Sequence, residues 1–194
     1  MNIAIIGSGV GGLSSAIRLV KKGHSVSIFE RNSTCGGKLG SLKLGRFSFD
    51  TGPSLLTMPH LIDELFTLHD ENPRDYFNYI KKDIHCKYFW DDGTTFTAFS
   101  DKNKYVEEAH RKFLVEKKPL FKYFLKSKKK YDLINKLFLY RPINKLSSFI
   151  TLDTLKALIN IKLFQLFSSL HKVNNRELSN DKMVQVLNRY ATYN

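Results

Sequence analysis

Four consecutive apolar residues, Ile3-Ala4-Ile5-Ile6, run directly into glycines at positions 7, 9, 11 and 12. A short unbroken apolar run is what a strand covered on both faces requires. From Leu13 the period changes. Leu13, Ala16, Ile17 and Val20 recur at helical spacing, and Lys21-Lys22-Gly23 suits a helix C-terminus, where cations oppose the dipole and glycine ends the turn. Ser25-Val26-Ser27-Ile28-Phe29 then reads as a second strand, with Glu30 at its carboxyl end. Strand, turn, helix and parallel strand make a βαβ unit. Its helix N-terminus presents free amide hydrogens to whatever lies above the glycine turn.

Beyond this unit the patterning is coarser. Pro59 to Leu68 predicts a helix, with Leu61, Ile62, Leu65 and Phe66 on one stripe and Asp63 and Glu64 near its start. Ile84–Trp90 and Thr94–Phe99 flank Asp91-Asp92-Gly93 and predict a hairpin, with His85 and Cys86 on opposite faces. Residues 111–130 read as one basic amphipathic helix. Thr154 to Leu170 reads as a strongly apolar helix, with Leu155, Leu158, Ile159, Leu163, Leu166, Phe167 and Leu170 along one face. Asn180 to Leu187 is a last short helix, for which Ser179 is the expected cap. Asp50 suits the start of a turn. No internal repeat is present, and no apolar run reaches the length that spans a bilayer.

The glycines and the acid carry the chemistry. In the order Gly7, Gly9, Gly12 they form GxGxxG: one for a tight turn, one for backbone approach to a pyrophosphate, one for close packing of helix on strand. Glu30 follows Gly7 by 23 positions, where a carboxylate accepts hydrogen bonds from a ribose diol. Glycines used only for turns do not account for that acid. An acid there disfavours a 2′-phosphate, so FAD or NAD is preferred to NADP. These residues alone do not separate the two.

The continuation does. Cys35-Gly36-Gly37-Lys38-Leu39-Gly40, then Phe47-Ser48-Phe49-Asp50-Thr51-Gly52-Pro53, then Ser54 to Met58 with Pro59, resemble the phytoene desaturase family. These are FAD-dependent carotenoid desaturases and isomerases of the flavin amine oxidase superfamily. Leu187-Asn188-Arg189-Tyr190-Ala191-Thr192-Tyr193 is similar to a further stretch of the same family. The match covers residues 1–70 and 178–193. The resemblance implies that Gly7, Ser8, Gly9, Val10, Gly11 and Gly12 hold the diphosphate of FAD. It places Glu30 on the adenosine ribose with Arg31 beside it. Gly37, Lys38 and Leu39 would pass along the diphosphate and ribityl chain, and Thr51, Gly52 and Pro53 would lie near the flavin. Family members commonly carry arginine where Lys38 stands, so the charge is kept and the bidentate fork is lost. The implied activity is oxidation of a long apolar polyene, a carotenoid precursor, and no catalytic side chain is assigned. Two alternatives stand beside it: another amine-oxidase-like flavoenzyme, and a non-catalytic remnant that associates with FAD or a membrane.

Composition refines the picture. A 42% hydrophobic fraction with 15 phenylalanines excludes a disordered chain. The net charge of +13 is concentrated in residues 111–130, where nine Lys or Arg face the single acid Glu116. Phe113, Leu114, Leu120, Phe121, Tyr123, Phe124 and Leu125 are interleaved with them. An anionic membrane surface and a plain solvated helix are both open readings; nucleic acid is not expected, for want of any RNP, KH or zinc pattern. The apolar 154–170 helix is open between core packing and a cap over a hydrophobic tunnel. Cys35 and Cys86 are the only cysteines, and scattered histidines give no metal spacing and no catalytic triad. The expected location is cytoplasmic, peripheral on the inner face of the membrane.

The expected fold class is α/β: a Rossmann-like FAD-binding βαβ unit over 1–75, followed by an incomplete α+β substrate domain over 76–194 with basic and apolar helices. Two parallel strands fall short of the three or more that bury a sheet. The expectation is therefore the N-terminal part of a longer, split or truncated gene product, whose main partner is its own missing C-terminal part. Such a chain alone is expected to bind FAD weakly and not to turn over.

Overall fold

The computed structural model describes residues 1–53, 55–141 and 144–192, without the side chains of Leu146 and Ser148. Ser54 and Tyr193, both within the stretches of family resemblance, lie outside the described residues. The chain divides into two compact units, Met1–Ile80 and Lys81–Asn194.

The first unit opens with the expected βαβ. Strand β1 (Asn2–Ile6), helix α1 (Val10–Lys21) and strand β2 (Ser25–Phe29) follow in order, and β1 pairs with β2 in parallel, Ile3 opposite Val26 and Ile5 opposite Ile28. Lys22 caps α1, and Gly23 takes φ +82° just beyond it. The strands are not covered on both faces. Along β1, half-buried positions alternate with exposed ones, and Ile6 and Phe29 are 93% and 60% exposed. Two strands served by one helix layer cover one side, so alternate side chains are left without cover.

A hairpin that the patterning did not predict comes next: β3 (Ser41–Leu44) pairs antiparallel with β4 (Phe47–Asp50) around Gly45-Arg46. Leu42, Leu44, Phe47 and Phe49 do alternate with polar residues, but four-residue strands give too few periods to stand out. Asp50 is thereby a strand residue opposite Ser41, not the start of a turn. Helix α2 (His60–Thr67) falls where it was expected, with Pro59 at its N-cap. It is tied to α1 by Arg18–Glu64 at 3.0 Å, and His69 just beyond it meets the Ile17 carbonyl at 3.0 Å.

The second unit holds almost all of the core. Strands β5 (Ile84–Phe89) and β6 (Thr95–Phe99) form the expected hairpin, and Gly93 at its tip has φ +78°. Helices α3 (Lys102–Phe113), α4 (Lys117–Phe138), α5 (Leu152–Ile159), α6 (Ile161–Phe164), α7 (Leu170–Glu177) and α8 (Asp181–Asn188) follow. Val106, Leu120 and Met183 are completely buried. So is Asn174, which accepts a hydrogen bond from the Tyr123 hydroxyl at 2.8 Å and donates to Asn188 at 2.9 Å.

Three helix expectations need correction. The basic stretch 111–130 is two helices, broken where Leu114 turns left-handed at φ +56° and Val115 O meets His110 Nδ1 at 3.0 Å. Its apolar face is spent on the interior: Phe113 and Leu120 are in the core, and Phe121, Tyr123 and Phe124 pack against it. The apolar stretch 154–170 starts earlier, at Leu152, with Thr151 as cap, and breaks at Asn160 and Gln165. Asn160 Nδ2 donates to the Lys156 carbonyl at 2.9 Å, an amide competing with the helix ladder, and Gln165 takes φ +52°. Finally, Asn180 and not Ser179 caps α8. Its Oδ1 accepts from Met183 N at 3.0 Å while its Nδ2 donates to Phe113 O at 3.2 Å, so one amide side chain both caps the helix and reaches a distant carbonyl. Among the described residues, no helix is long and apolar enough to cross a membrane.

Trp90 is the only tryptophan and lies in the second unit, so its fluorescence follows that unit alone. Leu120→Ala, at a site with no solvent exposure, is expected to destabilise the Trp90 urea transition by about 2–5 kcal/mol. Leu42→Ala, on the exposed β3–β4 hairpin, is expected to leave that transition where it is. A Trp90 midpoint equally insensitive to both changes would show that this core is not what holds the unit.

Candidate dinucleotide site

The site is built where β1 ends. Gly7 leaves the strand at φ +96°, and its N–H donates to Phe29 O at 2.7 Å, so the turn stays tied to β2. Gly9 is the N-cap of α1, no side chain caps the helix there, and Val10, Gly11 and Gly12 form its first turn. A Cβ on Gly12 would stand 2.1 Å from the Gly7 carbonyl oxygen, far inside any real contact. The helix can start this close to the strand only because position 12 has no side chain.

Glu30 follows β2, and its carboxylate is held by four donors. Oε2 accepts from Ser8 N at 2.8 Å and Ser8 Oγ at 2.9 Å; Oε1 accepts from Asn32 N at 2.9 Å and Asn32 Nδ2 at 3.0 Å. The Asn32 amide, then the Ser8 amide and hydroxyl, bring its pKa from 4.5 down to about 2. Glu30 is therefore ionised at neutral pH and faces the turn as an acceptor. A carboxylate accepts at about four positions, and here all are taken. Two of the donors are backbone and fixed; the Ser8 hydroxyl and the Asn32 amide group are on rotatable bonds.

The loop after Asn32 closes the third side. Gly36 N donates to Ser8 O at 2.9 Å, and Gly9 and Gly36 form an isolated parallel bridge. Gly37 lies against Gly9, where a Cβ on Gly37 would be 3.1 Å from the Gly9 Cα. Thr51 N then donates to Gly40 O at 2.9 Å, and a Cβ on Gly52 would stand 1.8 Å from Lys38 O. The end of the β3–β4 hairpin is thus pinned back onto the 36–40 loop. Arg31, Lys38, Leu39, Thr51 and Pro53 are exposed around this assembly.

Most of the residues singled out from the sequence therefore lie together, while Arg31, Leu39 and Pro53 are exposed and, among the described residues, make no side-chain contact to the turn or to Glu30 that ties them in. Gly7, Ser8, Gly9, Val10, Gly11 and Gly12 form the turn and the helix start, Glu30 reaches back to Ser8, and Gly37 touches Gly9. Thr51 and Gly52 arrive through contacts with Gly40 and Lys38. Sequence reasoning left out Gly36 and Asn32. The paired glycine was a visible signal for the first. Asn32, two residues past the acid, had none, because its role depends on how the chain turns after β2. Around Gly7 and Gly11 a Cβ would meet nothing within 4 Å, so the face above the turn is open. Open backbone amides at a helix start, flanked by an ionised acceptor, suit a ligand with an anionic middle and a hydroxylated end.

Comparison with known proteins places this assembly. Residues 5–71 match the family described as "NAD(P)-binding Rossmann-like domain". Over 98% of its length the chain is 46% identical to a 1-hydroxycarotenoid 3,4-desaturase from Flavobacterium sp. (strain P99-3). It is 32% identical over 98% of its length to a 4,4'-diapolycopene oxygenase from Methylomonas sp. A carotenoid 3,4-desaturase from Haloarcula japonica is 28% identical over 80% of the chain. The chain spans 38% of the length of each of the first two.

The Glu30 network predicts a pH effect whose sign is fixed. The folded pKa lies below the unfolded one, so the network's contribution is complete above about 4.5 and is lost as pH falls from there towards about 2. A carboxyl-carbon NMR titration is expected to place the Glu30 midpoint near 2, with Ser8→Ala moving it upward. A wild-type midpoint at the ordinary glutamate value would mean that the four donors do not hold it in solution.

Proposed function

The chain is homologous to the carotenoid desaturases and oxygenases, and on that premise we propose that it is the FAD-binding and part of the substrate-handling region of an oxidoreductase acting on a long apolar polyene. The observation that carries this reading is the convergence of Gly9, Gly37 and the Glu30–Ser8 contact at the start of α1. That cradle fits a dinucleotide: side chains are excluded where backbone must approach, and the acid is ionised where a ribose would sit. The amides of Val10, Gly11 and Gly12 would take the diphosphate charge, and Glu30 the diol, with Arg31 beside it. Gly37, Lys38 and Leu39 would flank the diphosphate and ribityl chain, with Thr51, Gly52 and Pro53 towards the flavin. When bound, the flavin supplies the two-electron oxidation. The second unit, with its aromatic interior, fits the role of a substrate domain.

The exposed cations of the 111–130 stretch supply a route to an anionic bilayer. Lys118, Lys122 and Lys129 stand exposed on α4, and Leu114 and Leu125 are exposed near them. Because the other apolar residues of the stretch face the interior, this attachment would be chiefly electrostatic. Co-sedimentation with phosphatidylserine-containing vesicles is expected at low salt and lost at high salt. Sedimentation that ignores both lipid charge and salt would remove the membrane from this reading.

The cofactor reading is tested by titrating the 194-residue chain with FAD and following the flavin spectrum. Weak binding is expected, with no turnover of a carotenoid precursor. Glu30→Gln should weaken binding by about tenfold or more, the worth of a hydrogen bond to a charged group. Ser8→Ala, which frees one acceptor position on Glu30, should not weaken it. Supplying the remaining region of the Flavobacterium relative in trans should tighten binding. Preference for NADP over FAD, or indifference to Glu30→Gln, would overturn the assignment.

A further inference from the structure

The dinucleotide site carries two neighbouring residues with opposite preferences for the sugar. Glu30 suits a free ribose diol. Arg31 beside it is an exposed cation that makes no ion pair among the described residues. An acid at this place favours an unphosphorylated ribose, whereas an arginine there accommodates a 2′-phosphate. Which of them prevails depends on whether the acid can turn aside. Ser8 grips one oxygen only: its N–H and its Oγ both donate to Glu30 Oε2, at 2.8 and 2.9 Å. A carboxylate held at a single oxygen still swings about that point. Asn32 takes the other oxygen, with its N–H and its Nδ2 donating to Oε1 at 2.9 and 3.0 Å. Two held oxygens fix the plane of the carboxylate as well as its position.

We infer that Asn32 sets the sugar specificity of this site: its hold on Oε1 denies Glu30 the rotation that would open Arg31 to a 2′-phosphate, so an unphosphorylated ribose is taken. Selectivity of this kind works by exclusion. A fixed charge repels the wrong ligand, while a charge on a mobile side chain retreats and gives way. Holding the acid before the ligand arrives also spares the entropy of fixing it afterwards. Asn32 is thus a positioning residue, acting through Glu30 and needing no contact with the ligand itself. This inference rests on the dinucleotide reading of the site and adds to it which residue decides between two sugars.

The probes are ADP-ribose and its 2′-phosphate, which differ by that group alone. Each is competed against FAD on the full 194-residue chain and followed by the flavin spectrum. Wild type is expected to prefer ADP-ribose by about tenfold or more. Asn32→Ala should cut that preference to about threefold or less, chiefly by tightening the 2′-phosphate. Asn32→Ser, which keeps a side-chain donor at the same position, should restore most of it. Adding Arg31→Ala to Asn32→Ala should remove the affinity gained for the 2′-phosphate. In the ligand-free chain, three-bond NMR couplings along the Glu30 side chain are expected to show one rotamer in wild type and averaged rotamers in Asn32→Ala. No preference in wild type, a preference unchanged in Asn32→Ala, an equal loss of both probes, or couplings already averaged in wild type would overturn the Asn32 assignment and leave the dinucleotide reading standing. If FAD does not bind, or neither probe displaces it, the dinucleotide reading falls and the assignment with it.

Discussion

The nucleotide end of this protein depends on the missing side chain at position 12. The Gly7 carbonyl occupies the place that a Cβ would need, and α1 can rise directly off the end of β1 only under that condition. Everything around the candidate site follows from this closeness. It sets the Ser8 amide and hydroxyl within reach of Glu30, and it leaves Gly9 low enough for Gly36 and Gly37 to pass against it. It also lowers the Glu30 pKa, since two of the three groups that lower it most belong to Ser8. One steric vacancy thereby governs geometry and acidity together.

The two units differ in how they are stabilised. In the first, Ala16 and Ser8 are the only described residues that are buried, and the β3–β4 hairpin is exposed throughout. Its order comes from backbone hydrogen bonds and close glycine contacts, with little area removed from water. The second is held by a connected interior of Phe96, Val106, Leu120, Met183 and Val186, and Asn174 threads a satisfied polar network through it. Removing apolar surface from water is the dominant driving force of folding. The second unit is therefore the one expected to stand on its own contacts.

What the sequence made legible follows the same division. The βαβ unit could be read because its signals are local: a glycine turn, a change of period, an acid at a fixed distance. The α2 helix and the β5–β6 hairpin were readable for the same reason. The breaks at Leu114, Asn160 and Gln165 were not, because apolar periodicity continues across them, and beside the last two Ile159, Leu166 and Phe167 stay exposed where a continuous helix face was expected. The cap at Asn180 shows the limit at single-residue scale. Serine and asparagine both cap helices, and the residue that does so here is also tied to Phe113 O, 67 positions away, a contact no local signal announces.

The tip of the β5–β6 hairpin is fastened to α8, with Trp90 Nε1 donating to Gln185 at 2.8 Å across 95 positions and Lys182 reaching Asp92 and Thr94. Contacts of such range have a temporal meaning when the chain is made from its N-terminus. The hairpin leaves the ribosome long before its partner helix does, and at about 5–20 residues per second it waits several seconds with an aromatic edge uncovered. Loop closure over that span is slow compared with local helix formation. The second unit thus acquires its interior only near the end of its synthesis, and during that interval the emerging chain is most open to chaperones and to neighbours of its own kind.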